Sequence, residues 1–178
     1  MSMIQKIINA EMDYCFRKTI NITPQFLKKR NIKGLILDVD NTLAVHDGLT
    51  PAESVPEWIE LMKKHGIKLI IVSNNNSERV KPFADKLGID FVCDSGKPLK
   101  RGYESALAKM KLEKSETASV GDQIFTDIWG GNFYGIRTIY VKPIEKEDKS
   151  KRFIRFKRVL EKPFLPKSFI DDKKENNK

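Results

Sequence analysis

The stretch that decides the fold of this chain is GLILDVDNTL, residues 34–43. Its first four residues are small or apolar, and so short a run between polar residues is typical of a buried strand in a parallel sheet. Two acids, Asp38 and Asp40, follow at the carboxyl end of this strand, which in open α/β sheets faces the ligand crevice. We therefore expect both carboxylates to line a site.

Alternate residues of an extended strand point to opposite faces, so Asp38 and Asp40 can share a site only if the chain leaves strand geometry after Asp38. The small polar residues Asn41 and Thr42 favour such a turn, because their side chains bond readily to nearby backbone. An Asp-x-Asp pair also occurs in sugar-nucleotide enzymes, calcium loops and ordinary turns, so the rest of the chain has to decide its meaning.

Further apolar runs predict strands that alternate with helices along the chain. Strands are expected at residues 67–72, 91–93, 117–121 and 136–141, and helices at residues 1–20, 24–30, 54–65, 77–87 and 99–110. Regular alternation predicts a doubly wound α/β fold with about five parallel strands and right-handed crossovers.

The net charge of +9 is concentrated outside the predicted sheet. Residues 1–33 carry +5 and residues 151–178 carry +6, whereas residues 34–150 carry −2. We divide the chain into a helical basic flank (1–33), a catalytic core (34–142), a basic amphipathic segment (143–170) and a disordered tail (171–178). Basic flanks of this kind suit nucleic acid, an anionic membrane surface or solubility alone.

Composition narrows the cellular context. The two cysteines, Cys15 and Cys93, form no CxxC motif and no evident metal set with His46 or His65, which favours free thiols in a reducing compartment. The first twenty residues lack the apolar core of a secretory signal, and no run approaches the roughly 18 apolar residues of a membrane span. The prediction is a cytoplasmic protein, free or peripheral at the inner membrane face.

Polar residues whose side chains can take part in catalysis or ligand binding follow four of the predicted strands. Because the carboxyl ends of parallel strands meet at one edge of the sheet, we expect them to form one site. Carboxylates suit Mg²⁺, a lysine can neutralise phosphate, and a serine hydroxyl can donate to it, which together favour phosphoryl transfer. No histidine or cysteine is evidently placed as a base. The residues are Asp38, Asp40, Ser73, Lys97, Asp122 and Asp127.

The same residues carry a family resemblance. The chain resembles the haloacid dehalogenase phosphohydrolase superfamily and, from about Ile20 to Leu165, is similar to the YqeG family of subfamily IIIA phosphatases, relatives of phosphatidylglycerophosphatases. The resemblance implies an HAD-like Rossmannoid three-layer fold. The superfamily's four ordered motifs match Asp38-Val39-Asp40-Asn41-Thr42, Ser73-Asn74, Lys97-Pro98 and Gly121-Asp122 with Asp127.

The resemblance implies a role for each catalytic residue. Asp38 would be the nucleophile that forms an aspartyl-phosphate, and Asp40 would be the general acid and base. Ser73, Asn74 and Lys97 would bind the transferring phosphate, and Lys97 would also restrain the nucleophile.

The resemblance also implies a magnesium site. Mg²⁺ would be held by Asp38, by the backbone carbonyl of Asp40 and by Asp122. Asp127 would support these ligands, and Thr42 would shape the loop.

The spacing between the motif residues indicates what size of substrate the site can take. The intervals from Asp38 to Ser73 and from Ser73 to Lys97 each have room for one helix and one strand, so no inserted cap domain is expected. An open site favours a phosphate on something large, such as a lipid surface, a protein or a nucleic-acid end.

The segment RFIRFKRVL, residues 152–160, could form a helix with Phe153, Phe156 and Leu160 near one face and basic residues around it. Such a helix can lie in a membrane interface; alternatively its phenylalanines pack on the domain.

Three functions follow from these observations. The leading hypothesis is a Mg²⁺-dependent phosphomonoesterase that dephosphorylates phosphatidylglycerophosphate at the membrane surface. A phosphatase for a soluble sugar phosphate, nucleotide or nucleic-acid end is the first alternative. An RNA- or ribosome-associated interaction protein ranks last, because the chain carries no RNA-binding motif and few aromatic residues among its basic ones.

Overall fold

The computed structural model describes Gln5, residues 9–145 and residues 152–171, apart from the side chain of Phe153. Six parallel strands form one sheet in the order β1-β6-β5-β2-β3-β4. The central strand β2 pairs with β3 on one side and with β5 on the other. The strands are β1 (Tyr14–Phe16), β2 (Gly34–Leu37), β3 (Lys68–Val72), β4 (Asp90–Val92), β5 (Thr117–Gly121) and β6 (Arg137–Val141).

Helices lie between the strands as the alternating pattern predicts. Between β2 and β4 each crossover contains a single helix, so these residues hold no inserted cap domain. The helices are α1 (Pro24–Lys29), α2 (Val55–Lys64), α3 (Ser77–Leu87), α4 (Lys100–Met110), α5 (Trp129–Tyr134) and α6 (Arg152–Glu161), and a π-helical turn (Ile124–Ile128) precedes α5.

The sheet is covered on both faces, which confirms the three-layer α/β fold. Leu35 and Leu37 of β2 pack in one cluster that includes Trp58 of α2, whereas Ile36 between them packs in a second cluster that includes Tyr103 of α4. The alternation follows from strand geometry, in which successive side chains point to opposite faces. A strand buried on both faces therefore holds its carboxyl end firmly at the sheet edge.

The prediction of a helix over residues 1–20 is wrong at Tyr14–Phe16, which form the edge strand β1 and bring the strand count to six rather than five. β1 pairs in parallel with Ile139–Val141 of β6. Tyr14 and Phe16 each contact the Phe26 ring edge-to-face, at centroid distances of 5.0 and 4.9 Å. Three residues carry too little periodicity to identify a strand, and this one is stabilised by long-range contacts.

The prediction that the tail is disordered from Asp171 onward is wrong at Asp171 itself. Its buried carboxylate accepts hydrogen bonds from the backbone N–H of Arg17, at 3.1 and 3.2 Å, and from the Asn21 side chain. The neighbouring Ile170 N–H donates to the Cys15 carbonyl at 2.9 Å. Residues 172–178 lie outside the described residues, and the other domain boundaries drawn from the sequence stay predictions.

Replacing Asp171 tests this connection between the C-terminal segment and β1. Asp171→Ala removes the buried carboxylate that accepts hydrogen bonds from the Arg17 N–H and the Asn21 side chain, and we expect the free energy of unfolding to fall by about 1–3 kcal/mol. Asp85→Ala, which removes an exposed partner of Lys81, should cost at most about 0.5 kcal/mol. Urea unfolding measures both. Equal losses in the two variants would contradict an anchoring role for Asp171.

Candidate active site

The chain turns sharply after β2, as the Asp-x-Asp spacing requires. The Asp38 N–H still bonds to the Val120 carbonyl of β5 at 3.0 Å, but the Val39 carbonyl then accepts the N–H groups of residues 42, 43 and 44. Asn41 sits in this turn in the left-handed region, with φ of 62°. The turn places the carboxylates of Asp38 and Asp40 at the same edge of the sheet, and both are buried.

Lys97, in the loop after β4, lies between two buried carboxylates. Its Nζ is 2.7 Å from Asp38 Oδ1 and 2.7 Å from Asp127 Oδ1. All three side chains are almost inaccessible to solvent. Lys97 therefore connects the loops that follow β2, β4 and β5, as the strand-end pattern predicts.

Asn74 holds the lysine loop in place. Its Oδ1 accepts hydrogen bonds from the Lys97 N–H and from Ser95 Oγ, both at 2.7 Å, and its Nδ2 donates to the Lys97 carbonyl at 3.0 Å. Beside it, the buried hydroxyl of Ser73 accepts from the Asn75 N–H at 3.1 Å. In this arrangement the Asn74 side chain positions Lys97.

Asp122 and Asp127 follow β5 and approach Asp38. One carboxylate oxygen from each of these three aspartates lies within 4.8 Å of the others. Asp127 is packed so closely on Gly121 that a Cβ there would lie 2.3 Å from its carboxylate carbon, which explains the glycine in the Gly121-Asp122 motif. Thr42 Oγ1 reaches Asp122 Oδ1 at 3.4 Å.

The electrostatics of this cluster are governed first by burial. Burial raises the pKa of the Asp38 carboxyl to about 7, although the Lys97 ammonium opposes the shift. Burial likewise raises the pKa of Asp122 well above its usual value, against the influence of Arg158. Burial by itself lowers the pKa of Lys97, but the charges of Asp127 and Asp38 outweigh it and raise the pKa overall.

These residues fit a divalent cation. Asp38 Oδ2 is buried and accepts no hydrogen bond from the described residues, so it has a lone pair available to a ligand. Three carboxylates, which pair with the cations of Lys97 and Arg158 in the described part of the chain, offer the hard oxygen donors that Mg²⁺ prefers. Asp127, which the resemblance assigned to a supporting position, belongs to this cluster.

Asp40 lies in a separate set of contacts at the same edge. Its Oδ2 accepts from Asn75 Nδ2 at 2.8 Å, and its Oδ1 accepts from the Asp47 N–H at 2.9 Å and pairs with the Arg79 guanidinium. His46 Nδ1 lies 3.2 Å from the same Oδ1. The Asp40 carboxylate is thereby held in one orientation.

The sequence analysis placed no histidine as a base, but His46 lies beside Asp40, the residue that the resemblance assigns as general acid and base. Asp40, His46 and Asp47 offer ligand atoms within 4.8 Å of one another. However, Arg79 already pairs with both carboxylates, at 2.6 Å in the case of Asp47, so this set carries its own counter-ion.

Two arginines of the site were missed by the sequence analysis. Arg79, in the first turn of α3, pairs with Asp40; Arg158, in α6, pairs with Asp122 Oδ2 and donates to its carbonyl at 2.7 Å. The position of Arg79 two residues into a helix after the Ser73 motif was a weak signal. No signal in the sequence indicated that Arg158 belongs to the site, because this residue lies in a run of basic residues far along the chain.

The described residues contain no helix with the length and apolar character needed to cross a bilayer.

Comparisons with known proteins agree with this geometry. Residues 14–135 match the haloacid dehalogenase-like hydrolase family. The probable phosphatase YqeG of Bacillus subtilis is 44% identical over 154 residues, which cover 86% of this chain and 88% of that protein. The mitochondrial phosphatidylglycerophosphatase GEP4 of Saccharomyces cerevisiae is 32% identical over 127 residues, covering 63% of this chain and 68% of that protein.

Solved structures share the fold. The cobalt-bound deoxy-D-mannose-octulosonate 8-phosphate phosphatase of Haemophilus influenzae superposes with a TM-score of 0.52 at 21% identity, covering 64% of this chain and 70% of that one. The motif-bearing edge of the sheet, the family match and the 44% identity lead to one conclusion. The chain belongs to the YqeG family within the haloacid dehalogenase-like hydrolases and is a phosphatase that hydrolyses phosphoric monoesters.

Proposed function

We propose that this phosphatase requires Mg²⁺, forms an aspartyl-phosphate on Asp38 and removes a terminal phosphate from a lipid, with phosphatidylglycerophosphate as the candidate substrate. The observation that carries the mechanism is the state of Asp38. Its Oδ1 is held by Lys97 at 2.7 Å, while its buried Oδ2 accepts no hydrogen bond from the described residues. One oxygen is oriented and the other is available as a nucleophile.

The reaction takes two steps. In the first, Asp38 Oδ2 attacks phosphorus, the bond from phosphorus to the ester oxygen breaks, and Asp40 gives a proton to the departing alcohol. In the second, Asp40 takes a proton from water as the water oxygen attacks phosphorus. The bond to Asp38 then breaks and inorganic phosphate leaves.

Other side chains would stabilise the transferring group. Lys97 would offset its negative charge, and the Ser73 hydroxyl would donate a hydrogen bond to it. We propose that Asn74 contributes through the lysine loop, since its side chain makes three hydrogen bonds to residues 95–97.

Magnesium would be bound by Asp38, Asp122 and the backbone carbonyl of Asp40, with Asp127 close by and Thr42 supporting Asp122. The bound ion would neutralise charge on the phosphoryl oxygens. The buried carboxylate cluster supports this assignment, because its oxygens lie within 4.8 Å of one another.

Two observations support a lipid substrate. Relatives in Saccharomyces cerevisiae and Arabidopsis thaliana bear the names phosphatidylglycerophosphatase and phosphatidylglycerophosphate phosphatase. No inserted domain between β2 and β4 encloses the site, so a large substrate can approach it. A soluble phosphate ester is the alternative.

Replacing Lys97 tests its two ion pairs. Lys97→Met leaves two buried carboxylates without their partner. When a chelator has removed divalent metal, we expect the free energy of unfolding to fall by about 3–5 kcal/mol. We also expect turnover to fall about 100-fold or more. Lys97→Met/Asp127→Asn removes one unpaired charge and should recover part of the stability without recovering turnover. Lys100→Met, an exposed neighbour, is the control. Unchanged stability in Lys97→Met would contradict the buried ion pairs.

Metal dependence can be tested separately from turnover. We expect the enzyme to be inactive in chelator and Mg²⁺ to restore its activity. We expect Asp122→Asn to weaken Mg²⁺ binding about 10-fold or more, because a charged ligand becomes neutral. Calorimetric titration without substrate measures the binding, with Co²⁺ in parallel. Asp90→Asn, at an exposed site far along the sheet, is the control. Equal Mg²⁺ affinity in the two variants would remove Asp122 from the ligand set.

The substrate is tested by phosphate release from phosphatidylglycerophosphate in mixed micelles, beside soluble phosphomonoesters. We expect kcat/KM to be highest for the lipid, and Asp38→Asn to lower it about 1,000-fold or more on every substrate. Asp85→Asn, an exposed carboxylate of α3, is the matched control. Activity on soluble esters alone would reject the lipid but keep the mechanism, whereas full activity of Asp38→Asn would reject the nucleophile.

A further inference from the structure

The side of α6 that faces solvent carries exposed apolar residues to which the proposed function gives no role. Positions 152, 155, 156, 159 and 160 lie within one arc of a helix with 3.6 residues per turn. We call them the α6 outer face; they are Arg152, Arg155, Phe156, Val159 and Leu160. All five residues are exposed, and the apolar three have exposed fractions of 60%, 56% and 47%. Phe153, assigned to this side from the sequence, has a side chain outside the described residues.

The opposite side of α6 is fixed to the phosphatase site. Arg158 contacts the carboxylate and carbonyl of Asp122, and the buried Glu161 accepts a hydrogen bond from the Phe125 N–H at 3.1 Å. Both contacts reach the segment that follows β5. The sequence left open whether Phe153 and Phe156 pack on the domain; the side chain of Phe156 is exposed to solvent, as is that of Leu160.

The exposed charges within residues 152–171 have one sign. Within residues 152–171, the two acids, Glu161 and Asp171, are both buried and hydrogen-bonded. The exposed charged residues there are Arg152, Arg155, Lys162 and Lys167, all basic. An exposed apolar stripe between cations is complementary to an interface that is apolar inside and anionic at its surface.

We propose that the α6 outer face binds the surface of an anionic lipid bilayer, with Phe156, Val159 and Leu160 inserted at the level of the acyl chains and Arg152 and Arg155 among the headgroups. The inference extends the proposed function, since it assigns the surface that brings the enzyme to its lipid. RNA is a poorer fit, because Phe156 is the single ring among the five described residues of this face and valine and leucine offer none on which further bases can stack.

The fixed inner side gives this contact a consequence for catalysis. Arg158 lies on the inner side of α6 and contacts Asp122, and an α-helix with its side chains is about 10–12 Å across. A protein whose outer face is inserted to the level of the acyl chains would therefore hold Asp122 about one helix diameter above those chains, on the headgroup side of the interface.

The test is sedimentation of the full chain with phosphatidylcholine vesicles, with and without added phosphatidylglycerol. We expect binding only with the anionic lipid, and expect Phe156→Ser/Leu160→Ser and Arg152→Glu/Arg155→Glu each to weaken it about 10-fold or more. The controls are Leu61→Ser, an exposed leucine of α2, and Lys28→Glu/Lys29→Glu, an equal charge change on α1. Turnover of a soluble phosphomonoester shows that each variant is folded.

The outcomes separate this inference from the proposed function. Vesicle binding by outer-face variants within about twofold of the parent would overturn the inference, as would equal binding to pure phosphatidylcholine or binding to RNA in place of vesicles. Asp38→Asn should still bind vesicles. Selective vesicle binding without hydrolysis of the lipid would support the inference while rejecting the proposed substrate.

Discussion

One positive charge placed between two buried carboxylates is the constraint on which this structure depends. Lys97 Nζ contacts both Asp38 and Asp127 at 2.7 Å, in surroundings almost closed to solvent. Charges removed from water are tolerated only when they are paired with good geometry. The loops after β2, β4 and β5 must therefore end at compatible positions, and the Asn74 side chain, which bonds three times to residues 95–97, holds one of them there.

The cluster is not electrically balanced by its own lysine. Asp38, Asp122 and Asp127 bring three carboxylates together, and burial raises the pKa of Asp38 and Asp122. A further cation lowers the cost of such a cluster, whether it comes from the chain, as Arg158 does, or from solution as a metal ion. The same imbalance makes the site suited to phosphate chemistry, in which a metal ion and a lysine together bind a dianionic group.

Much of the fold and site was predictable because each motif residue follows a short apolar run. The runs before Asp38, Ser73 and Asp122 are buried strands in the structure, and parallel strands bring their carboxyl ends to one edge. Arg79, Arg158 and His46 were not predictable in this way. A long side chain can reach the site from a helix or loop elsewhere, and no local pattern records that reach. Strand β1 was not predicted for a similar reason. Its three residues carry little periodicity, and its stability comes from contacts with β6 and Phe26.

By itself the sequence determined the alternation of strands and helices, the buried centre of the sheet and the order of the motif residues. These follow from hydrophobic periodicity and turn chemistry, which act over a few neighbouring residues. Only the tertiary structure decided which charges meet: Lys97 with Asp38 and Asp127, Arg79 with Asp40, and Arg158 with Asp122. Ion pairing depends on distances of a few ångströms between residues far apart in the chain, and these distances exist only after the sheet and its helices have packed.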